Sequence, residues 1–445
     1  MHSSFIRPLG LLAALGLVAG TATAGFIAES TATVPVGIAP SGVAVGDFDG
    51  DGDLDLAFTT DAPDRVRIFI NGGLGYTAGQ VVVMPASSSP GALAAGDFDG
   101  NGSVDLAVAL QDGSAVTLLR NTAGIFASAG SFATGQNPRA LSAGDVDGDG
   151  DLDLATANRD SNNATVLTNN GLGVFTGQTL ALTGEPRGVA FVDFDGDGDG
   201  DVAVSNRDDR TVAIYSSAGG VLTFSVNLSV GGARRPDEMA SGDLNGDGVA
   251  DLAVASNGSG FASASIFLST GLGFAPVVHY PTGGLNTSII AVGDLDCDGI
   301  LDIATGNVDS NNVSTLPGTG TGTFGAATLT AAGIEPQAIA LADLEPDNDL
   351  DMVVANKLSN DATVVTNGCG VPAPVCGDGI CERGEDPNCI DCQPPVFGDL
   401  DGDGLVNGSD LGLLLAAWGA AGPADLDGNG TVDGADLGLL LSLWT

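Results

Sequence analysis

The sequence predicts a mainly β fold, a seven-bladed β-propeller of four-stranded blades, and three observations predict it. An acidic nonapeptide recurs seven times, starting at Asp47, Asp97, Asp145, Asp193, Asp243, Asp294 and Asp343. The starts lie 50, 48, 48, 50, 51 and 49 residues apart, a fixed period of the kind that marks repeat architectures. Each period holds four short runs of strand-forming residues bounded by Gly, Asn, Asp or Pro. The last period lacks its fourth run, and a matching run stands at the other end of the chain.

The third period shows the four runs, A to D. They are Arg139 to Asp145, Leu152 to Ala157, Ala164 to Thr168 and Val174 to Leu182. The A runs are rich in small residues (Val43-Ala-Val-Gly46, Leu93-Ala-Ala-Gly96, Met239-Ala-Ser-Gly242). Small side chains suit the crowded inner edge of a radial array. The last period supplies A (Gln337 to Ala342), B (Leu350 to Ala355) and C (Ala362 to Thr366). The run Phe26 to Val34 aligns with the fourth run of an earlier period, Phe126 to Phe132. The N-terminus is therefore expected to complete the seventh blade and close the ring. A linear solenoid would have no use for that complementarity.

The nonapeptide has the ligand pattern of a calcium loop. Calcium takes six to eight oxygen ligands, and carboxylates at alternate positions of a tight turn converge on one centre. In Asp47-Phe-Asp-Gly-Asp-Gly-Asp-Leu-Asp55 the side chains of Asp47, Asp49, Asp51 and Asp55 and the carbonyl of Asp53 are the expected ligands. Gly52 stands where the chain turns sharply. The corresponding sets are Asp97, Asp99, Asn101, Ser103 and Asp105, then Asp145, Asp147, Asp149, Asp151 and Asp153. Next come Asp193, Asp195, Asp197, Asp199 and Asp201, then Asp243, Asn245, Asp247, Val249 and Asp251. The sixth set is Asp294, Asp296, Asp298, Ile300 and Asp302, with Cys297 where other loops have glycine. The seventh loop (Asp343, Glu345, Asp347, Asn348, Asp351) has lost the turn glycine and gained a proline, so weak or no binding is expected there. Four carboxylates this close repel one another without a cation. Acidic turns that merely keep hairpins soluble are the alternative.

The repeats D-h-D-G-D-G-x-x-D-h-x-h, with h an apolar residue, resemble the FG-GAP/VCBS family, the calcium-bearing propeller repeats of integrin α-subunit heads and many secreted bacterial proteins. The resemblance covers residues 25–371. It implies calcium in the A–B loops and a structural or adhesive role. The Phe-Gly and Gly-Ala-Pro motifs of the integrin version are poorly kept, so integrin-like ligand recognition does not carry over.

A second duplication fills residues 398–445. Its twelve-residue loops are expected to bind through Asp399, Asp401, Asp403, Leu405, Asn407 and Asp410, then Asp425, Asp427, Asn429, Thr431, Asp433 and Asp436, with Leu405 and Thr431 acting through carbonyls. Each loop precedes a Leu-Gly-Leu-Leu-Leu run, which predicts a small α-helical module of two loop–helix calcium motifs. Its core is small, so its folding is expected to depend on metal. The module closely resembles dockerin type I, a family that docks onto cohesin domains. That resemblance implies a cohesin-like receptor, but loop positions 10 and 11 (Gly408 and Ser409, then Gly434 and Ala435) are nearly featureless. A cell-surface sorting or attachment tag is an equal alternative. About six calcium ions are expected in the propeller and two in this module.

Residues 1–24 read as a secretory signal, with Arg7, an apolar Leu9 to Val18 and an Ala22-Thr-Ala24 cleavage site. Too short to span a bilayer, this leader predicts a secreted or cell-surface protein without a membrane span. Six cysteines fit an oxidising compartment, and they allow 15 pairings among which the sequence does not choose. Residues 372–397 read as a cysteine-rich, disulfide-stapled linker. The spacing of Cys376, Cys381, Cys389 and Cys392 matches no usual zinc pattern.

The net charge of −43 argues against nucleic acid as a partner. With two histidines, His2 and His279, and no nucleophile elbow, P-loop or dinucleotide fingerprint, no catalytic residue is assigned and the protein reads as a binding or scaffold module. The alternative is an extracellular polysaccharide lyase or glycoside hydrolase delivered by the tail. Of eleven basic residues in the propeller, nine are placed in B–C or D–A loops: Arg65, Arg139, Arg159, Arg187, Arg207, Arg210, Arg234, Arg235 and Lys357. That face, with Arg139, Arg187, Arg234 and Arg235 foremost, is the candidate site for an acidic glycan or the carboxylates of an extracellular protein. Arginines that merely relieve local acidity are the alternative.

Overall fold

The computed structural model describes Phe26, then residues 28–369 except positions 74, 259, 272 and 346. Towards the C-terminus it describes residues 400, 406, 408–419, 424, 426 and 431–442. The expectations for the leader, the zinc alternative and the cysteine-rich linker lie outside the described residues. The chain divides into two units, Met1–Cys369 and Gly370–Thr445.

The first unit consists of seven four-stranded antiparallel sheets. Six are formed by consecutive strands A to D. In the third blade these are Pro138–Gly144, Asp153–Asn158, Asn163–Thr168 and Thr176–Ala181. They agree with the sequence expectation to within one or two residues. The seventh sheet takes A, B and C from Pro336–Ala342, Asp351–Asn356 and Asp361–Asn367. Its outer strand is Ala28–Val34, paired antiparallel with Asp361–Asn367 in a register that sets Ala32 against Val364. The ring is therefore closed by the N-terminal strand, as the unmatched fourth run required.

Seven apolar clusters lie one at each blade interface. Between blades 1 and 2, for example, Phe48, Ala57 and Ile68 meet Leu93, Leu106 and Val108. Each B strand packs on both faces, so Asp105–Leu110 and Asp153–Asn158 are buried at every position. That explains why these runs are continuously apolar rather than alternating. The A strands carry small residues because neighbouring blades touch there. A Cβ on Gly42 would lie 2.4 Å from the Gly91 carbonyl oxygen, and one on Gly96 would lie 2.5 Å from Leu152 Cδ1.

Two expectations are corrected. Arg65 is not in a loop: it lies in strand C of blade 1, Asp64–Asn71, opposite Val83, because the B–C connection there is only two residues long. Arg139 and Arg187 likewise are the second residues, and Arg235 the first, of their A strands rather than parts of D–A loops. Cys369, which precedes the 372–397 linker, forms a disulfide with Cys297, 72 residues earlier, a pairing the sequence left open. This ties the end of blade 7 to the acidic loop of blade 6.

Among its described residues the second unit holds two nine-residue helices, α1 (Gly408–Ala416) and α2 (Gly434–Ser442). Val406, Leu414, Ala424, Val432 and Leu440 form its buried apolar cluster. Among the described residues no helix is long and apolar enough to cross a membrane.

Candidate functional site

The seven A–B loops share one hydrogen-bonded frame. The first aspartate accepts from the backbone N–H of loop position 6 through Oδ2, in Asp47 from Gly52 (3.0 Å), in Asp145 from Gly150 (2.9 Å) and in Asp294 from Gly299 (2.9 Å). The side chain at position 5 accepts from the N–H of position 7. Asp51 takes Asp53, Asn101 takes Ser103, Asp149 takes Asp151, Asp197 takes Asp199, Asp247 takes Val249 and Asp298 takes Ile300, at 2.7–3.0 Å. Position 6 has positive φ in every loop: Gly52 at 99°, for example, and Asn348 at 66° in the seventh. Asparagine tolerates this conformation better than most residues, so the seventh loop keeps the turn without glycine.

The ninth aspartate does more than the ligand pattern assigned to it. Asp55, Asp105, Asp153, Asp201, Asp251, Asp302 and Asp351 are buried. In each, Oδ2 accepts from the backbone N–H of loop position 2 and Oδ1 accepts from the backbone at the end of strand C. For Asp153 these are Val146 at 2.8 Å and Asn169 at 2.6 Å; for Asp351 they are Leu344 at 2.9 Å and Asn367 at 2.8 Å. The residue at the end of strand C then reaches the previous blade. Asn71, Asn121, Asn169 and Asn367 donate Nδ2–H to the carbonyls of Leu344, Phe48, Phe98 and Leu295. Ser217 and Ser269 donate their hydroxyls to Val146 and Phe194. In blade 6 Gly318 has no side chain to donate, and the Gly322 N–H bonds Leu244 O instead (3.0 Å). These contacts run through all seven interfaces.

The carboxylates fit a divalent cation. Three side chains offer oxygens within 4.8 Å of one another in the groups Asp47, Asp49 and Asp55; Asp97, Asp99 and Asp105; Asp145, Asp147 and Asp153; and Asp193, Asp195 and Asp197. Buried oxygens of Asp147 and Asp296, the third position of loops 3 and 6, have no hydrogen-bond partner. Desolvation, reinforced by neighbouring carboxylates, pushes Asp49, Asp147 and Asp195 up and Asp296 to about 6. Burial likewise raises Asp105, Asp153, Asp201 and Asp251 to about 6 and Asp351 to about 7, against the pull of their two backbone bonds. Hard oxygen donors held this close are what calcium takes. In loop 2 the Arg120 guanidinium pairs with Asp99 and already supplies some positive charge. In loop 7 Asp349 is buried and accepts from Cys369 N–H at 3.1 Å. Cys297 and Cys369 stand beside it, but both sulfurs are taken by the disulfide.

In the second unit Asp436 is buried, with Leu426 N–H on Oδ1 and Asp433 N–H on Oδ2, both at 2.7 Å. Asp433 accepts from Ala435 N–H at 2.8 Å, and Thr431 is exposed. Asp399, Asp401, Asp403, Leu405, Asn407, Asp425, Asp427 and Asn429 lie outside the described residues. Asp410 falls in α1, with its side chain outside them.

The opposite end of the ring carries a cavity of about 430 Å³ at the mouth of the central channel, lined by all seven blades. Its wall is built from the second and third residues of the A strands, the third and fourth in blade 5. The positions five residues before the first loop aspartate are small in five blades (Gly42, Ala92, Ala140, Gly188, Ala338), apolar in Ile289, and charged only in Glu238. Arg139 and Arg187, the second residues of adjacent A strands, both line it, joined by Arg207 and Lys357. Acidic groups balance them: Asp61, Asp237, Glu238 and Glu335. Arg187 pairs with Glu185 at 2.5 Å, which also holds Arg159 at 2.5 Å. Asp237 accepts from Asn257 and lies 4.0 Å from Arg207 Nε.

Glu238 borders the lumen and keeps some exposed surface, yet it sits deep among protein atoms. Burial, then Asp237, raises its carboxyl to about 8 against the pull of Arg139. The sequence reading missed Glu238; its signal was a charged residue at a position where most blades carry Gly or Ala. Arg234 and Arg235 do not reach this mouth. Arg234 Nε bonds Ser263 Oγ at 3.3 Å, and exposed Arg235 lines a separate groove with Arg207 and Arg210.

The blades, loops and channel define a seven-bladed β-propeller with acidic A–B loops. The chain belongs to the FG-GAP-like repeat family, whose pattern matches residues 47–108, 97–156, 145–204, 193–254, 243–305 and 294–354. Similar solved structures include virginiamycin B lyase from Staphylococcus aureus, at 12% identity and a TM-score of 0.53 over 76% of this chain and 98% of that one. BBS1N in complex with ARL6DN is similar at 12% identity and 0.54, over 77% and 97%. A Lactobacillus plantarum protein is similar at 14% and 0.54, over 67% and 86%. Identities this low establish a shared fold and nothing more. No curated protein matches the chain.

Proposed function

We propose that this is a secreted, calcium-stabilised binding scaffold: a propeller that presents its channel face to an extracellular protein or acidic glycan, tethered through a dockerin-like C-terminal module. The observation that carries the reading is the convergence of three carboxylate side chains within 4.8 Å in four loops. The unpartnered buried oxygens of Asp147 and Asp296 support it.

Calcium would be held by the side chains at positions 1, 3, 5 and 9 and by the carbonyl at position 7. Bound there, it neutralises carboxylates that otherwise repel one another and braces the A–B hairpins. The chain's own part is the frame that aims the oxygens: Asp47 tied to Gly52, Asp51 tied to Asp53, and Asp55 tied to Phe48 and Asn71. The tether rests on the duplicated twelve-residue loops, and the buried Asp436 supports it.

Calcium titration of the mature chain by calorimetry, with melting in EDTA and in CaCl₂, tests the reading. The expected result is uptake of several ions and a higher Tm with calcium, since each site at a hundredfold excess over its Kd adds about 2.7 kcal/mol. Equal melting in both buffers together with no heat of binding would refute it.

A further inference from the structure

Three guanidinium groups line one arc of the channel mouth with donors left over. Buried Nε atoms of Arg187 and Arg207 have no hydrogen-bond partner. Arg139 makes no hydrogen bond or ion pair to any described residue. The acids beside them are already engaged. Asp237 is 6% exposed and held by Asn257, and Glu185 is shared between Arg159 and Arg187. Only Glu238 enters the lumen from a position where most blades carry Gly or Ala. Gly188 gives it room, since a Cβ there would lie 2.8 Å from Glu238 Cα.

We propose that this arc binds one carboxylate group of a small acid or sugar acid, with Arg139, Arg187 and Arg207 donating to it and Glu238 lying against it. The proposal rests on the binding-scaffold reading and names the chemistry of its ligand. The guanidinium fork matches a carboxylate in two parallel hydrogen bonds. Charge selects a monoanion: Arg139, Arg159, Arg187, Arg207 and Lys357 against Asp61, Asp237, Glu185 and Glu335 leave one positive charge while Glu238 is neutral. A dianion meets Asp237 as a repelling neighbour. The volume of about 430 Å³ lies within the range of small-ligand sites.

Glu238 is acted on by Asp237 of its own strand and Arg139 of blade 3, and Arg187, Arg207, Asp61, Glu335 and Lys357 line the same mouth. Its carboxyl, raised to about 8, is protonated at neutral pH and able to donate a hydrogen bond. Above that pH it becomes a second repelling anion, so binding weakens.

The test uses the full chain in excess CaCl₂ and titrates acetate, galacturonate, the uncharged methyl ester of galacturonate and inorganic phosphate at pH 6.5 and 9.5. Acetate and galacturonate are expected to bind and the ester not. Arg139→Ala, a lumen substitution, is expected to weaken binding about tenfold or more, as loss of a charge-assisted hydrogen bond does. Wild-type affinity is expected to fall between the two pH values, while Glu238→Gln binds equally at both. The site is overturned by no binding of either carboxylate, by equal binding of the ester, by tighter binding of phosphate, or by unchanged affinity in folded Arg139→Ala. A pH dependence that persists in Glu238→Gln overturns the part assigned to Glu238. Calcium uptake is measured on the same sample. If it is normal when carboxylate binding fails, this inference falls alone; if both fail, the scaffold reading falls with it.

Discussion

Asp153 and its six equivalents hold both ends of their blade. The carboxylate of Asp153 satisfies two backbone N–H groups, of Val146 and Asn169, in a site with no exposed surface. Asparagine at that position presents one acceptor and turns an NH₂ towards the second N–H. Asp153→Asn is therefore expected to cost about 2–5 kcal/mol, from two disturbed buried hydrogen bonds, and to lower Tm in EDTA as well as in calcium. Asp49→Asn is expected to lower Tm in calcium only, because Asp49 is an exposed ligand candidate. Denaturant melts of both variants in both buffers separate the two roles. Glu238 gives a second expectation at this scale. Its folded carboxyl, raised to about 8, holds a proton that the unfolded chain releases near pH 4.3. Stability from this group is full below about pH 4.3 and is lost as pH rises through 8. Glu238→Gln should thus melt higher than wild type at pH 9 and alike at pH 4, read by differential scanning calorimetry.

Strand A runs and the closing strand show how elements rather than residues decide the ring. The small residues of the A strands are legible as crowding, and the contacts of Gly42 and Gly96 across blade interfaces give the cause. The outer strand Ala28–Val34 covers the free edge of Asp361–Asn367. Removing it leaves an unpaired edge, the template for aggregation. A chain lacking residues 28–34 is expected to melt lower and to associate, in scanning calorimetry and light scattering, and a peptide of that strand is expected to restore the monomer. The bonds that join blades were only half visible. An Asn sixteen residues after the ninth aspartate recurs in Asp55/Asn71, Asp105/Asn121, Asp153/Asn169 and Asp351/Asn367. That spacing marks a pattern but does not reveal that the amide crosses to the previous blade, because a carbonyl 71–73 residues away has no local signature.

On the scale of the whole molecule, a charge of −43 opposes compaction through self-repulsion. Salt screens it over about 10 Å at 0.1 M. Raising NaCl from about 20 to 500 mM is therefore expected to raise the Tm of the calcium-free chain, and to change that of the calcium-loaded chain much less. By itself the sequence determined the number of blades, the four strands in each, the acidic loops between A and B and the terminus that closes the ring. All of these are local in spacing and repeat along the chain. Tertiary structure alone decided that Cys297 pairs with Cys369, that the residues ending strand C bond carbonyls of the previous blade, and that Glu238 meets Arg139 at the channel. Those contacts join residues from different blades, and only curvature of the closed ring brings them within hydrogen-bonding or Coulomb range.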